Sequence, residues 1–166
     1  MLQIQNLTIT HKKDSRELVR DFSFCLNPGD RAALIGEEGN GKSTLLKLIY
    51  DERLTEDYAE FTGVISKKGM RLGYLPQELP GVEKEKSVWE FCMEKPGFAE
   101  CQPKELARTA GRMGLDAGLF YSDQKMGSLS GGERVKLQLA CILLDGPDVL
   151  LLDEPSNDLD LPTLDF

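Results

Sequence analysis

The residues whose types and spacing could do chemistry lie in three short stretches. The first, "GEEGNGKST", runs from Gly36 to Thr44 and fits the spacing G-x-x-x-x-G-K-[ST] between an apolar run and a helical one. Gly36, Gly39 and Gly41 let the backbone turn tightly, so that N–H groups of Glu37, Glu38, Asn40 and their neighbours aim inward. The helix opening near Lys42 adds its positive dipole end, which makes the loop a cradle for a triphosphate. Lys42 would reach the β- and γ-phosphates, and Ser43, followed by Thr44, would offer its hydroxyl to Mg²⁺. The plainer alternative is a strand–turn–helix with incidental glycines. Glu37 and Glu38 would repel a triphosphate unless their carboxylates point outward, and the outward arrangement is expected.

The second stretch is "VLLLDEP". An apolar strand that ends in Asp153 and Glu154 puts two acids at the carboxyl edge of a sheet, where α/β folds bind ligands. Asp153 suits a direct or water-mediated hold on Mg²⁺, and Glu154 suits polarising a water that attacks the γ-phosphate. A solvated strand end, closed by the acids and Pro155, is the alternative. The third stretch is "LSGGE", Leu129–Glu133, where Ser130 can cap a helix and Gly131 and Gly132 let its first N–H groups approach an anion. Taken alone it is equally an ordinary N-cap with a flexible entry.

With "LSGGE" lying between the other two in the chain, the three stretches closely resemble the ATP-binding cassette (ABC) ATPase family, over essentially the whole chain. The resemblance implies that ATP is sandwiched between the loop of one cassette and the "LSGGE" of another. Ser130, Gly131, Gly132 and Glu133 would then contact a partner's nucleotide, not the one held at Lys42. Gln77 in "YLPQE" takes the place of the family's glutamine that touches Mg²⁺ and the lytic water, although a polar residue after a strand can be just that. The implied catalytic set is Glu154, Gln77 and Lys42, with Ser43, Gln77 and Asp153 on the metal and the acidic pair facing the loop across it. Asp160, in "SNDLD", takes the position that links two paired sites. Where an aromatic usually stacks on adenine this chain offers Thr10 and His11; His11 either stacks or is a solvated turn residue.

Two classes of cassette fit. "DEPSNDLDLPTLDF" resembles the ABC-F branch, cytosolic proteins with tandem cassettes that commonly act on the ribosome; Ser156 and Asp158 are mild departures from its pattern. A nucleotide-binding subunit with a membrane-domain partner shares every phosphate-handling motif. A degenerate, non-catalytic cassette is a third reading, against which Lys42, Gln77, Asp153 and Glu154 all count. The family's switch histidine lies downstream of Glu154, where this sequence has none. That implies a partial cassette, lacking the C-terminal part of the fold, that binds Mg-ATP weakly and turns it over slowly or not at all by itself.

Particular elements must position these groups. Leu2, Ile4, Leu7 and Ile9, and then "LVRDFSFCL", read as half-buried strands; "RAALIG" reads as a short buried strand feeding the loop. "KSTLLKLIY" is a helix with Leu45, Leu46 and Ile49 on one side, and "FTGVIS" and "MRLGYLPQ" are further strands. "SVWEFCMEK" and "PKELARTAGRMG" have helical periodicity, with Pro96 and Pro103 as breakers or helix starts. "PDVLLLDEP" lacks alternation, as a strand covered on both faces does. The expected fold is an α/β P-loop sandwich with an antiparallel N-terminal portion. Residues 1–83 and 128–166 would form the nucleotide-binding core and 84–127 a small helical subdomain, in which Trp89 packs one helix on its neighbour.

Composition bounds the rest. The chain of 166 residues, 40% hydrophobic, can bury a real core. A net charge of −8 argues against broad attraction to nucleic acid or anionic membrane, while leaving room for a local basic patch. Cys25, Cys92, Cys101 and Cys141 are scattered without a C-x-x-C, which fits reduced thiols of a cytoplasmic protein. "LACILL" and "VLLL" are too short to span a bilayer, and the N-terminus lacks the apolar core of a signal peptide.

Overall fold

The computed structural model describes residues 1–155. The expectations for Ser156, Asp158, Asp160 and "LPTLDF" lie outside the described residues. The chain divides into two compact units, Met1–Leu72 and the residues from Gly73 onward.

In the first unit, β1 (Leu2–His11) buries Leu2 and Ile4 but then Leu7 and Ile9, a switch from even to odd positions. Successive residues of a strand face opposite ways, so a parity switch needs one inserted residue. Asn6 supplies it: its φ is 50°, and the pairing slips between Ile4 and Leu7 on one side and between Gln5 and Thr8 on the other. β2 (Glu17–Leu26) and β3 (Ala59–Ser66) pair antiparallel on either side, giving the order β2-β1-β3. Gly63 in β3, at φ 103°, makes room for the bulge; a Cβ there would stand 2.5 Å from the Asn6 carbonyl oxygen.

Residues 31–36, the apolar run expected to form a buried strand, carry no strand; Leu34 is 41% exposed and Ile35 95%. A strand of continuous apolar residues is held by cover on both faces, and Ile35 has none of it. α1 (Lys42–Tyr50) begins directly after the glycine loop and buries Leu45, Leu48 and Ile49. The i, i+3, i+4 spacing therefore selects Leu48, and Leu46 is only half-buried. A 3₁₀ turn at Glu52–Leu54 follows, capped by the Asp51 side chain.

The second unit pairs β4 (Leu72–Leu75) with β5 (Val149–Leu152). Between them come α2 (Gly81–Lys84), α3 (Val88–Met93), α4 (Pro96–Glu100), α5 (Pro103–Arg112) and α6 (Gly131–Leu144). Pro96 and Pro103 stand in the first turns of α4 and α5, where a missing N–H costs nothing. The core gathers Phe91, Phe98, Leu106, Phe120 and Leu137, with Leu150 and Leu152 of β5 packed against it. Trp89 of α3 meets Phe98 of α4 edge-on at 6.0 Å between centroids and Tyr121 at 5.5 Å. Cys92 and Cys141 are buried with their Sγ atoms 3.5 Å apart, and all four cysteines are free. The Cys92 contact and burial push the Cys141 thiol well above its ordinary pKa, which makes it a poor nucleophile. Among the described residues no helix is long and apolar enough to cross a membrane.

Candidate functional site

In the first unit the glycine loop is braced by its own lysine. Lys42 Nζ donates to the carbonyl oxygens of Gly36 at 2.7 Å and Glu37 at 2.8 Å, and Asn40 N–H donates to Glu37 O at 3.4 Å. Gly39 at φ 80° and Gly41 at φ 77° hold left-handed conformations that other residues rarely adopt. Gly41 is also the N-cap of α1 and lies so near β2 that a Cβ would stand 2.8 Å from Leu18 Cβ. Nothing would meet a Cβ at Gly36 or Gly39, and Glu37, Glu38 and Asn40 are exposed. Ser43 and Thr44 sit half-buried in the first turn of α1. Turned glycines, a helix start without an acidic residue in its first turn, and an ammonium at the loop are a donor set that fits a phosphate chain.

His11, at the end of β1, is joined by Nδ1 to Asp14 Oδ1 at 2.9 Å, with its N–H bonded to the Arg16 carbonyl. A backbone bond from Arg16 and the imidazole together hold the Asp14 carboxyl below its ordinary range. The Tyr58 ring lies 6.4 Å from the imidazole, tilted by 42°.

In the second unit the sheet places the acids. Asp153 N–H donates to Leu75 O at 3.0 Å, continuing the β4–β5 pairing by one residue. That register sets Gln77, two positions past Leu75, against Glu154, one past Asp153. Gln77 Nε2 donates to Glu154 Oε2 at 2.9 Å. Asp153 is 2% exposed and accepts from the Tyr74 hydroxyl at 3.0 Å. Glu154 is exposed and held at φ 44°, a conformation that costs a non-glycine residue about 1–3 kcal/mol.

The helix of the third stretch opens with a reciprocal cap. Ser130 Oγ accepts from Glu133 N–H at 3.2 Å, and Glu133 Oε2 accepts from Ser130 N–H at 3.1 Å and from its hydroxyl at 2.6 Å. These bonds from Ser130 keep the Glu133 carboxyl below its ordinary range. Gly131 and Gly132 form the first turn of α6, half-buried.

Lys42 and its loop thus sit in the first unit, while Gln77, Asp153, Glu154 and the Ser130 cap sit in the second. Sequence reasoning missed Tyr74, whose only signal was alternation in "LGYL" against two buried neighbours. It also missed the reciprocal part of Glu133, which the spacing S-x-x-E announces.

The sequence profile of the family described as ABC transporter matches residues 19–157. YdiF of Bacillus subtilis (strain 168) is 37% identical over 166 residues, covering 97% of this chain and 24% of that protein. The ribosome protection protein VmlR of the same organism is 34% identical, covering 98% of this chain and 27% of its own length. The energy-dependent translational throttle protein EttA of Escherichia coli (strain K12) is 32% identical, covering 99% of this chain and 28% of its own length. The chain spans about a quarter of the length of these curated relatives. A solved structure, an ATP binding subunit of an ABC transporter, aligns at a TM-score of 0.74 over 98% of this chain and 70% of that one, at 23% identity. At that identity the likeness establishes the fold.

Proposed function

The chain belongs to the ATP-binding cassette family and is most like its ABC-F branch; from that premise we propose that it binds Mg-ATP at residues 36–44 and, paired with a second cassette, hydrolyses it. The observation that carries the hydrolytic part is the 2.9 Å bond between Gln77 and Glu154, which couples the two groups suited to ordering a water.

Backbone N–H groups between Gly36 and Ser43 hold the phosphate oxygens, and Lys42 exchanges its two loop carbonyls for the β- and γ-phosphates. Ser43, Gln77 and Asp153 would hold Mg²⁺, which when bound neutralises charge growing on the phosphates. Glu154 accepts a hydrogen bond from the attacking water, and Gln77 fixes the carboxylate that does so. Tyr74 holds Asp153 from behind. Ser130, Gly131, Gly132 and Glu133 present the start of α6 to the nucleotide of the second cassette. His11 and Tyr58 offer rings to the adenine. Residues 84–127 act as the helical subdomain.

The names of VmlR and EttA support a cytoplasmic protein whose cassettes work on the ribosome. The family's description and the structural likeness to a transporter subunit favour a second reading, a cassette partnered by a membrane domain.

Mg-ATP binding and phosphate release by the purified 166-residue chain test the proposal. Binding that disappears in Lys42→Ala, with slow or no turnover by the chain alone, is expected. Turnover at ordinary ATPase rates by the monomer would refute the need for a second cassette, and Lys42-independent binding would refute the site.

A further inference from the structure

A groove of about 460 Å³ runs along α5 beside the end of α6. Lys104, Arg108 and Arg112 line it at intervals of four residues, so they form one row on one helix face. Each step along that row rises about 6 Å. Leu143 and Leu144 of α6, both half-buried, line it as well.

The row is costly for the helix by itself. Like charges four residues apart repel, and Lys104 stands in the first turn, where the helix dipole disfavours a cation. In the same unit Lys86 pairs with Glu83 and Glu94, and Lys125 with Glu85. The side chains of Lys104 and Arg108 make no ion pair or hydrogen bond among the described residues. In a protein of net charge −8, these two cations therefore face a groove with leucines in its lining and no acid among the described residues paired to them.

We propose that this groove docks an acidic amphipathic helix of a partner protein. Its carboxylates, spaced four residues apart, meet Lys104 and Arg108, and its apolar residues seat against Leu143 and Leu144. The leucines favour a peptide over a phosphodiester chain, which has no apolar counterpart for them. Net charge points the same way: an acidic protein repels a long polyanion at range, whereas a few carboxylates act locally within a Debye length of about 10 Å. The docking needs no nucleotide.

Fluorescence anisotropy tests it, with the 166-residue chain and a labelled helical peptide carrying glutamates four residues apart beside a leucine stripe. The peptide binds, a lysine-for-glutamate version does not, and raising the salt weakens the complex. Lys104→Glu with Arg108→Glu weakens it by about tenfold or more, while ATP binding and the far-UV circular dichroism stay unchanged. Should the reversed pair disturb folding, Lys104→Gln with Arg108→Gln gives the same reading with a smaller loss. No binding of the acidic peptide, equal binding by a folded variant, or tighter binding of a short oligouridylate would overturn the proposal.

Discussion

Gln77 and Glu154 are separated by 77 residues and joined by a 2.9 Å hydrogen bond. The bond exists because the Asp153 N–H reaches Leu75 O, so the ends of β4 and β5 leave the sheet side by side. It engages a carboxylate whose own backbone is strained at φ 44°. Strain of this kind persists where the surroundings fix it, and Gln77 is one of the groups that do.

Glu154→Gln removes the charge that polarises water and keeps the side chain's size. In the paired, full-length protein, phosphate release is expected to fall by about 10²–10⁴-fold, with Mg-ATP affinity retained. Steady-state phosphate release set against equilibrium ATP binding checks this. Equal loss of both would mean that Glu154 serves binding instead.

Gly41→Ala forces a side chain into a left-handed N-cap and sets its Cβ against Leu18, whose carbonyl oxygen would lie only 3.2 Å away. A loss of about 1–3 kcal/mol in unfolding free energy is expected, together with loss of ATP binding. Gly39→Ala meets no neighbour within 4 Å and is expected to cost less. Urea unfolding of the two variants gives the comparison.

Tyr74→Phe leaves the 2%-exposed Asp153 with one hydrogen bond fewer. A destabilisation of about 1 kcal/mol is expected by thermal unfolding. Weaker dependence of ATP binding on Mg²⁺ would accompany it if Asp153 holds the metal. An unchanged magnesium titration would confine Tyr74 to a structural role.

The cap of α6 titrates with Glu133. Its bonds from Ser130 depress the folded-state pKa, so the cap is fully present above the ordinary carboxylate range and is lost as pH falls through the lower, folded value. The amide resonances of Ser130 and Glu133 should shift together across that acidic window. Glu133→Gln, which can still accept from Ser130 N–H, should abolish the shift and keep the helix start. Ser130→Ala should cost about 1 kcal/mol above that window and less below it, where the carboxylate half of the cap is already gone.

Much of this was legible in the chain because local chemistry decides it. A glycine loop must end where Lys42 starts a helix, Pro103 and Ser130 mark two more starts, and α1, α5 and α6 obey them. Leu48 for Leu46 was a matter of which leucine the 3.6-residue period turns inward. Residues 31–36 were misread because their apolar run says what such a strand needs, cover on both faces, without saying whether it receives it. The Tyr74–Asp153 and Gln77–Glu154 bonds were hidden for a related reason. They depend on which strands become neighbours, and no short stretch carries that information.

The ammonium of Lys42 already serves as a clasp across the turn that it terminates. Replacing it with methionine would slacken that turn before any nucleotide arrives. The affinity lost in such a variant would then exceed the worth of one cation against one phosphate, and an ornithine or arginine in its place would separate bracing from attraction.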